Sequence, residues 1–223
     1  NNILAGITLY AQLPLHTADL APGTEEAFTS ILDESHRAAD LVQQILDFSR
    51  SAMMEPEPIS LAALVREAMT LLRRTIPESI HLQAEMGADR CTIQGDPTRI
   101  HQALMNLALN ARDAMPDGGE LRLAVERLTV AANDEPALPD MAPGAWARLT
   151  VSDTGTGMTE EAQAHLFEPF FTTKEEGQGT GLGLAQVYGI VKQHQGFIDV
   201  DTAPDEGTAF SIYLPLVEDE GRE

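Results

Sequence analysis

The chain has 223 residues, enough for one or two domains with a sizeable core, and a formal net charge of −21. This acidity argues against nucleic acid as a partner, because contacts to phosphate backbones need Lys and Arg. The single cysteine, Cys91, excludes an internal disulfide framework, and no apolar run approaches the roughly 20 residues that span a bilayer.

The first fifty residues have the pattern of a helical hairpin. Apolar residues from Ile3 to Leu15 predict a short helix that Pro14 bends or ends, and Ala21-Pro22-Gly23 predicts the turn. A second helix is predicted after Thr24, because apolar and small residues from Phe28 to Ser49 keep a three-four spacing. A hairpin this narrow cannot bury its apolar face alone, so we expect two copies to form a four-helix bundle.

A proline-containing linker, residues 51–59, is predicted to lead into a second module of strands and helices. Helices are predicted over Leu61–Thr75, after a cap at Asp96 and from Gly181 to His194, and strands over Ile80–Met86, Cys91–Gln94, Glu120–Val130, Trp146–Ser152, Phe197–Asp201 and Thr208–Leu214. This order predicts a mixed sheet with three long helices on one face, and not the βαβ alternation of a Rossmann fold.

Two glycine-rich segments follow predicted regular elements. Asp153 ends a strand in V-S-D-T-G-T-G-M, where Gly155 and Gly157 let a flat ligand approach the backbone. The second segment is G-Q-G-T-G-L-G-L-A, residues 177–185, which opens a helix. Its free backbone N–H groups lie at the positive end of the helix dipole and suit a phosphate chain. One pocket for a base and its phosphates is therefore predicted.

Two asparagines, Asn106 and Asn110, lie four residues apart and so share one face of a predicted helix. The leucines around them would be buried, which leaves two amides on the edge of a buried helix. Such amides need partners, and a hydrated Mg²⁺ ion with phosphates supplies them.

The asparagine pair, D-T-G-T-G, F-E-P-F-F-T-T-K and G-T-G-L-G-L occur in this order. Together they resemble the catalytic domain of two-component sensor histidine kinases, within the ATPase superfamily of DNA gyrase, mismatch-repair proteins and a heat-shock chaperone. The resemblance covers Pro56 to Leu216. It implies an α+β chain: a dimerisation hairpin at 1–52, an ATP-binding catalytic domain of the GHKL (Bergerat) two-layer sandwich type at 56–217, and an acidic tail at 218–223.

The resemblance also implies roles for single residues. Asp153 would accept a hydrogen bond from the adenine amino group, Thr208 would help through water, and Asn110 would coordinate Mg²⁺ with Asn106 beside it. Lys174 would reach the phosphate end. The remaining nucleotide contacts implied by the motifs are Asp113, Gly155, Gly157, Thr173, Gly179, Thr180, Gly181, Leu182 and Gly183. Three aromatic residues would pack the segment over the nucleotide against the core or the bundle: Phe167, Phe170 and Phe171.

The opening N-N-I-L resembles the tail of the phosphoacceptor motif H-D-F-N-N-I-L in one group of these kinases. The acceptor histidine would then lie three residues before Asn1, and none of the six histidines in this chain occupies that motif. On this register Asn2 would orient water for dephosphorylation of the partner.

The activity implied is binding of Mg²⁺-ATP, transfer of the γ-phosphate to a histidine, and relay to a response-regulator aspartate. The expected partners are a second copy of the chain and a receiver domain, with no membrane contact by this segment. The expected location is the cytoplasm, or the cytosolic part of a membrane-bound sensor. Two alternatives stay open. A GHKL ATP hydrolase acting as a clamp carries a glutamate base where Asn106 stands, and a pseudokinase would only dimerise and dock partners.

Overall fold

The computed structural model describes residues 2–17, 23–32, 34–35, 38, 56–87, 91–131, 138, 141–174 and 179–217. The chain divides into two units, Asn1–Met53 and Met54–Glu223. In the first, helix α1 spans Asn2–Thr17, and residues 23–32 are also helical. Most of the seam predicted from Phe28 to Ser49 lies outside the described residues.

Pro14 was predicted to bend or end the first helix. It lies inside α1 and does not end it. Proline removes a single backbone N–H, so only one hydrogen bond of the helix ladder is lost. The residues after it continue the helix to Thr17.

The second unit is built on a five-stranded sheet with the order β2-β4-β5-β7-β6. Strand β2 runs parallel to β4, and the other neighbouring pairs are antiparallel. The strands are β1 (Glu57–Ser60), β2 (Ile80–Met86), β3 (Thr92–Gly95), β4 (Gly119–Val130), β5 (Gly144–Asp153), β6 (Phe197–Thr202) and β7 (Thr208–Pro215).

Three long helices share one buried core with the sheet: α2 (Leu61–Thr75), α3 (Pro97–Asp113) and α5 (Gly183–Gln193). Alternate residues of β4, from Leu121 to Val125, face this core, while Arg122 between them forms an exposed ion pair with Glu85. The expected two-layer α/β sandwich is therefore confirmed. Within the described residues, no helix is both long and apolar enough to cross a membrane.

The linker predicted over residues 51–59 contains a strand that the prolines concealed. Strand β1 pairs antiparallel with β3, with Pro58 opposite Gln94. On the other side of β3, Leu216 bridges Ile93, and the N–H of Val217 donates to the carbonyl of Thr92 at 2.9 Å. A proline is tolerated here because β1 is an edge strand.

Helix α5 begins at Gly183 and not at the predicted Gly181, because Gly181 has φ +65°, outside the helical region. The segment between the two glycine-rich motifs also contains a short helix that the sequence did not indicate, α4 (Glu160–Ala164). The Thr159 hydroxyl caps it by accepting the N–H of Ala162 at 3.3 Å.

Candidate functional site

Helix α3 brings the two asparagines against the start of α5. Gly183 is the first residue of α5, and a Cβ placed on it would lie 3.8 Å from Nδ2 of Asn110 and 4.0 Å from Cγ of Asn106. No closer atom occupies this position among the described residues. The glycine-rich motif and the asparagine pair therefore meet across a space large enough for a small group.

Asn106 is held in place by hydrogen bonds to α5. Its Nδ2 donates to Oε1 of Gln186 at 3.1 Å and to the carbonyl of Gly183 at 3.4 Å. Asn106 thus links the middle of α3 to the first turn of α5.

The N-terminus of α5 has backbone donors that no side chain caps. Its cap position is Leu182, which makes no side-chain capping bond, whereas α2, α3 and α4 are capped by Ser60, Asp96 and Thr159. Thr180 accepts only the N–H of Leu182, at 3.3 Å. Among the three long helices of the second unit, α5 is the one whose N-cap residue makes no side-chain capping bond, which suits an anion.

Asp153 lies at the end of β5, close to the C-terminal end of α3. Its Oδ1 accepts the N–H of Gly155 at 2.9 Å, and a Cβ on Gly155 would lie 2.6 Å from the carbonyl oxygen of Ala114, just after α3. Burial raises the pKa of the Asp153 carboxyl, and hydrogen bonds from the backbone of Gly155 and Thr208 offset this in part. A half-buried carboxylate here can accept a hydrogen bond from a ligand.

The two ends of the site are separated along α3. Ala114, beside the Asp153 loop, is eight residues after Asn106, which corresponds to about 12 Å along a helix axis. A base acceptor therefore lies at one end of the helix, and the asparagines and the uncapped α5 N-terminus lie toward the other. This separation fits an elongated ligand with a base at one end and an anionic chain at the other.

The hydroxyl of Thr202 connects Thr208 to the neighbouring backbone. Thr202 Oγ1 donates to the carbonyl of Gly207 at 2.8 Å and accepts the N–H of Met158 at 3.0 Å. Thr208 Oγ1 lies 3.1 Å from Thr202 Oγ1. Since the single hydroxyl proton of Thr202 goes to Gly207, the Thr208 hydroxyl must be the donor in that contact.

Gly157 needs to be glycine for reasons of space within the chain itself. It has φ +62°, and a Cβ there would overlap the carbonyl oxygen of Ala203. Gly157 and the turn before β7 are therefore in direct backbone contact, which fixes the wall of the Asp153 end.

The segment after α4 lies directly on the second glycine-rich motif. The N–H of Phe170 donates to the carbonyl of Gly181 at 2.9 Å, and a Cβ on Gly181 would meet the Phe170 backbone. A Cβ on Gly179 would lie 2.5 Å from Oγ1 of Thr172. These two glycines permit close packing of the chain on itself, whereas a Cβ on Gly183 would make only ordinary van der Waals contact with the asparagines.

Lys174 forms an ion pair with Asp113, the last residue of α3. Its Nζ lies 2.5 Å from Asp113 Oδ2, and Arg112 contacts the other oxygen of the same carboxylate. Burial raises the Asp113 pKa, but hydrogen bonds from Lys174 and Arg112 outweigh it and bring the pKa below its usual value. Thr173, next to Lys174, is exposed. The pair fastens this segment to α3.

The three phenylalanines differ in environment. Phe167 stacks on Tyr188 of α5 with ring centroids 5.1 Å apart, and Phe171 lies 5.5 Å from the ring of His165. Phe170 is 63% exposed and does not pack against the core, and its packing against the bundle, the other contact predicted for it, stays a prediction. Its positive φ of 69° accompanies the close contact with Gly181 and turns the side chain outward.

Sequence analysis did not single out Gln186 or Thr202. Gln186 is a buried amide in an otherwise mainly apolar helix, which is a signal that a polar partner must exist. Its partner, Asn106, is 80 residues away in the chain, so spacing could not identify the contact. Asn2 lies in α1, and its side chain lies outside the described part of the structure.

Comparison with known proteins identifies the family. Residues 95–218, more than half of the 223, match the family described as histidine kinase-, DNA gyrase B- and HSP90-like ATPases. The chain belongs to this ATPase family. The matched region contains the asparagine pair, Asp153 and both glycine-rich motifs.

The chain is similar to several sensor kinases. It is 38% identical over 222 residues to the sensor kinase CckA of Brucella abortus, covering 100% of this chain and 24% of that protein. It is 33% identical to the sensor histidine kinase ZraS of Klebsiella oxytoca, covering 92% of this chain and 42% of that protein. The crystal structure of full-length ShkA with AMPPNP matches with a TM-score of 0.75 at 25% identity, over 97% of this chain and 43% of that one.

The resemblance to the sensor histidine kinase catalytic core is thereby confirmed, as is the GHKL-type fold. The chain spans less than half the length of these relatives.

Proposed function

We propose that this chain is the core of a sensor histidine kinase, which binds Mg²⁺-ATP and transfers the γ-phosphoryl group to a histidine for relay to a response-regulator aspartate. The observation that carries the proposal is the convergence on α3 of Asp153 at one end and of Asn106, Asn110 and the uncapped α5 N-terminus toward the other. Family membership supports a nucleotide as the ligand.

At the base end, Asp153 accepts a hydrogen bond from the adenine amino group. The Thr208 hydroxyl donates its proton to Thr202 and therefore offers lone pairs to a bridging water. Gly155 and Gly157 keep the backbone wall of this end close-packed and flat. The same proposal includes the predicted boundaries, 1–52, 56–217 and 218–223, and the remaining nucleotide contacts predicted from the motifs.

At the phosphate end, the backbone N–H groups at Thr180 and Gly183 face the phosphates, with Leu182 between them, and Gly179 and Gly181 let the chain turn there. Lys174 is held by Asp113 at the C-terminal end of α3, and in this proposal it leaves that ion pair to reach the phosphate end when nucleotide binds.

The residues present fit a magnesium ion that is shared with phosphate. In the described residues, no cluster of three His, Cys, Asp or Glu side chains could hold a metal alone. Mg²⁺ commonly keeps several waters and takes only one or two protein ligands together with substrate phosphates, and Asn110 with Asn106 beside it supplies amide oxygens for this. The ion would neutralise charge on the transferring group.

Phosphoryl transfer then depends on placement and charge neutralisation. The acceptor is a neutral imidazole nitrogen, so the protein need not remove a proton to create the nucleophile. An ATP hydrolase of this superfamily would need a general base for water. Asn106 stands at that position and donates to Gln186 and Gly183, so it cannot act as a base.

The proposed partners are a second copy of the chain and a receiver domain. Helix α1 exposes large apolar side chains, which a bundle of two hairpins would cover: Ile7, Leu9, Tyr10 and Leu13. A kinase core needs a receiver aspartate as the final acceptor, whereas a pseudokinase scaffold would not.

The proposal is tested with Asn110→Ala in a chain extended by a helical segment that ends in His-Asp-Phe before Asn1. With radiolabelled Mg²⁺-ATP, we expect the parent to form acid-labile, base-stable phosphate on that histidine. Asn110→Ala should lose transfer by about a hundredfold or more while keeping ADP affinity within about threefold, because the amide serves the metal and not the base.

The matched control is Thr70→Ala on the exposed face of α2, which should behave as the parent. Self-labelling of the unextended chain on His36 or another of its histidines would refute the proposed register of the first helix and with it the role of Asn2. Transfer by Asn110→Ala at the parent rate would refute the magnesium assignment.

A further inference from the structure

The side chain of Gln186 in α5 is a buried amide that contacts α3, the helix with Asn106 and Asn110. Gln186 is 8% exposed and lies one turn after the start of α5, among buried residues that include Ala185 and Val187. Burying an amide is unfavourable unless its polar atoms find partners. The side chain is therefore held at this position by a specific contact and not by apolar packing alone.

The contact has a defined direction. Nδ2 of Asn106 lies 3.1 Å from Gln186 Oε1 and 3.4 Å from the carbonyl oxygen of Gly183. A backbone carbonyl can only accept, so the Asn106 atom facing Gly183 must be the NH₂ group. Oε1 of Gln186 accepts from the same group, and both Asn106 donors are thus directed at α5.

This direction determines which way the other half of the Asn106 amide points. The carbonyl oxygen and the NH₂ group of a planar amide leave Cγ on different sides. With NH₂ held against α5, Oδ1 is turned away from Gly183 and Gln186. Two acceptors favour this orientation of the Asn106 amide over the one with Oδ1 and Nδ2 exchanged: the Gly183 carbonyl and Gln186 Oε1. Removing the Gln186 acceptor leaves only the Gly183 carbonyl.

We infer that Gln186 is a positioning residue for phosphoryl transfer: it holds the Asn106 NH₂ group against α5, so that the Asn106 carbonyl oxygen is the atom presented to magnesium or its bound water. This inference rests on the proposed kinase function. Gln186 acts through Asn106 and touches neither nucleotide nor metal. An amide oxygen is a suitable partner for Mg²⁺ or for its bound water, whereas an NH₂ group is not.

Two variants separate positioning from packing. Gln186→Met keeps the volume and apolar contacts and removes the acceptor, while Gln186→Glu keeps an oxygen acceptor at the same place. In the extended chain, we expect Gln186→Met to need about three- to tenfold more Mg²⁺ for half-maximal transfer and to lower kcat, because one hydrogen bond is lost. The KM for ATP should change less than twofold.

Gln186→Glu should need no more Mg²⁺ than the parent. The affinity for ADP in EDTA should be the same in all three proteins, because it does not depend on the metal end. The midpoint of thermal unfolding should be lower in both variants than in the parent, since one loses a buried hydrogen bond and the other buries a carboxylate. An unchanged Mg²⁺ requirement in Gln186→Met, or an equal defect in Gln186→Glu, overturns the inference.

A measurement on the parent covers the case in which Gln186→Met does not fold. The side-chain NH₂ protons of Asn106 should exchange with solvent at least about tenfold more slowly than those of Gln12, which is exposed on α1. Equal exchange overturns the inference. Failure of the parent to bind ADP at all would instead overturn the proposed function, and the role of Gln186 would fall with it.

Discussion

The Asp153 carboxylate shows how a single residue can serve ligand binding at the expense of the folded state. Burial raises its pKa above the usual value, and the backbone N–H groups of Gly155 and Thr208 compensate only in part. A raised pKa means that the folded state prefers the protonated carboxyl. The contribution to stability is therefore present below the unfolded pKa of about 4 and is lost as the pH rises through the folded pKa.

We expect Asp153→Asn to separate stability from binding. At pH 7 the variant should unfold at the same or a higher temperature than the parent without nucleotide, since the amide carries no buried charge and can still accept the N–H of Gly155. Its affinity for ATP should fall about ten- to hundredfold, because a hydrogen bond from the base to a charged acceptor is lost. Calorimetric titration and thermal unfolding measure the two quantities.

The control is Asp201→Asn on strand β6 at the edge of the sheet, beyond β7, where the carboxylate is exposed. It should change neither quantity. An Asp153→Asn protein that binds ATP as the parent does would remove Asp153 from the base site.

The sequence predicts single site residues but not the contacts between residues that are distant in the chain. Asp153, Asn106 and Asn110 stand out because they lie beside glycines or at helical spacing, which are local patterns. The contact from Asn106 to Gln186 and the hydroxyl pair of Thr202 and Thr208 depend on how distant segments pack, and no local pattern encodes them.

At the scale of elements, one histidine joins the end of α5 to the beginning of α3. His194 is buried, its Nδ1 lies 2.7 Å from the carbonyl of Ile190, and its Nε2 accepts the N–H of Asp96 at 3.0 Å. Because a carbonyl only accepts, Nδ1 must carry the proton and the ring is neutral. Burial lowers the His194 pKa and outweighs the hydrogen bond to Ile190 and the charge of Asp96, which raise it, while Arg99 acts in the same direction as burial.

A depressed histidine pKa makes stability depend on pH in a predictable direction. Below about pH 6.5 the unfolded chain takes up a proton that the folded chain resists, so the free energy of unfolding should fall as the pH decreases, by at most about 1.4 kcal/mol per pH unit from this group. We expect His194→Gln to be less stable at pH 7.5 and to show a flatter dependence between pH 7.5 and 5.5. Urea unfolding across this range measures both.

The exposed His81 of β2 gives the control, since His81→Gln should keep the parent slope. Equal slopes in the parent and His194→Gln would show that the ring does not resist protonation in the folded state.

Most elements could be predicted because their signals are local. Leu61–Thr75 and Ile80–Met86 have the predicted bounds, since an amphipathic period and a strand between turn residues are sufficient to define them. Strand β1 was missed because its only partner is β3, more than thirty residues later, and Pro56 and Pro58 are typical of a linker. Long-range pairing overrode the local signal.

At the scale of the whole molecule, assembly should depend on the apolar residues exposed on α1. We expect the parent to be a dimer at tens of micromolar and Leu13→Glu to be a monomer, because each chain would bury an uncompensated charge at the interface. The monomer should still bind ATP, since the nucleotide site belongs to the second unit. Sedimentation velocity and calorimetry measure these properties.

The matched control is Gln12→Glu, which adds the same charge at a neighbouring exposed position and should leave the dimer intact. A monomeric parent would contradict the bundle. Val42→Glu probes the same seam on the second helix, at a position outside the described residues.

Strand β3 has a mechanical consequence for the second unit. Pro56 leads into β1 at the Gly95 end of β3, whereas Val217 is bonded at the Thr92 end, about 10 Å further along the strand. Tension applied between Pro56 and Val217 therefore runs along the strand axis, and the hydrogen bonds on both sides of β3 are loaded in shear. They resist together and do not open one after another, so β3 ties the two ends of the second unit to each other.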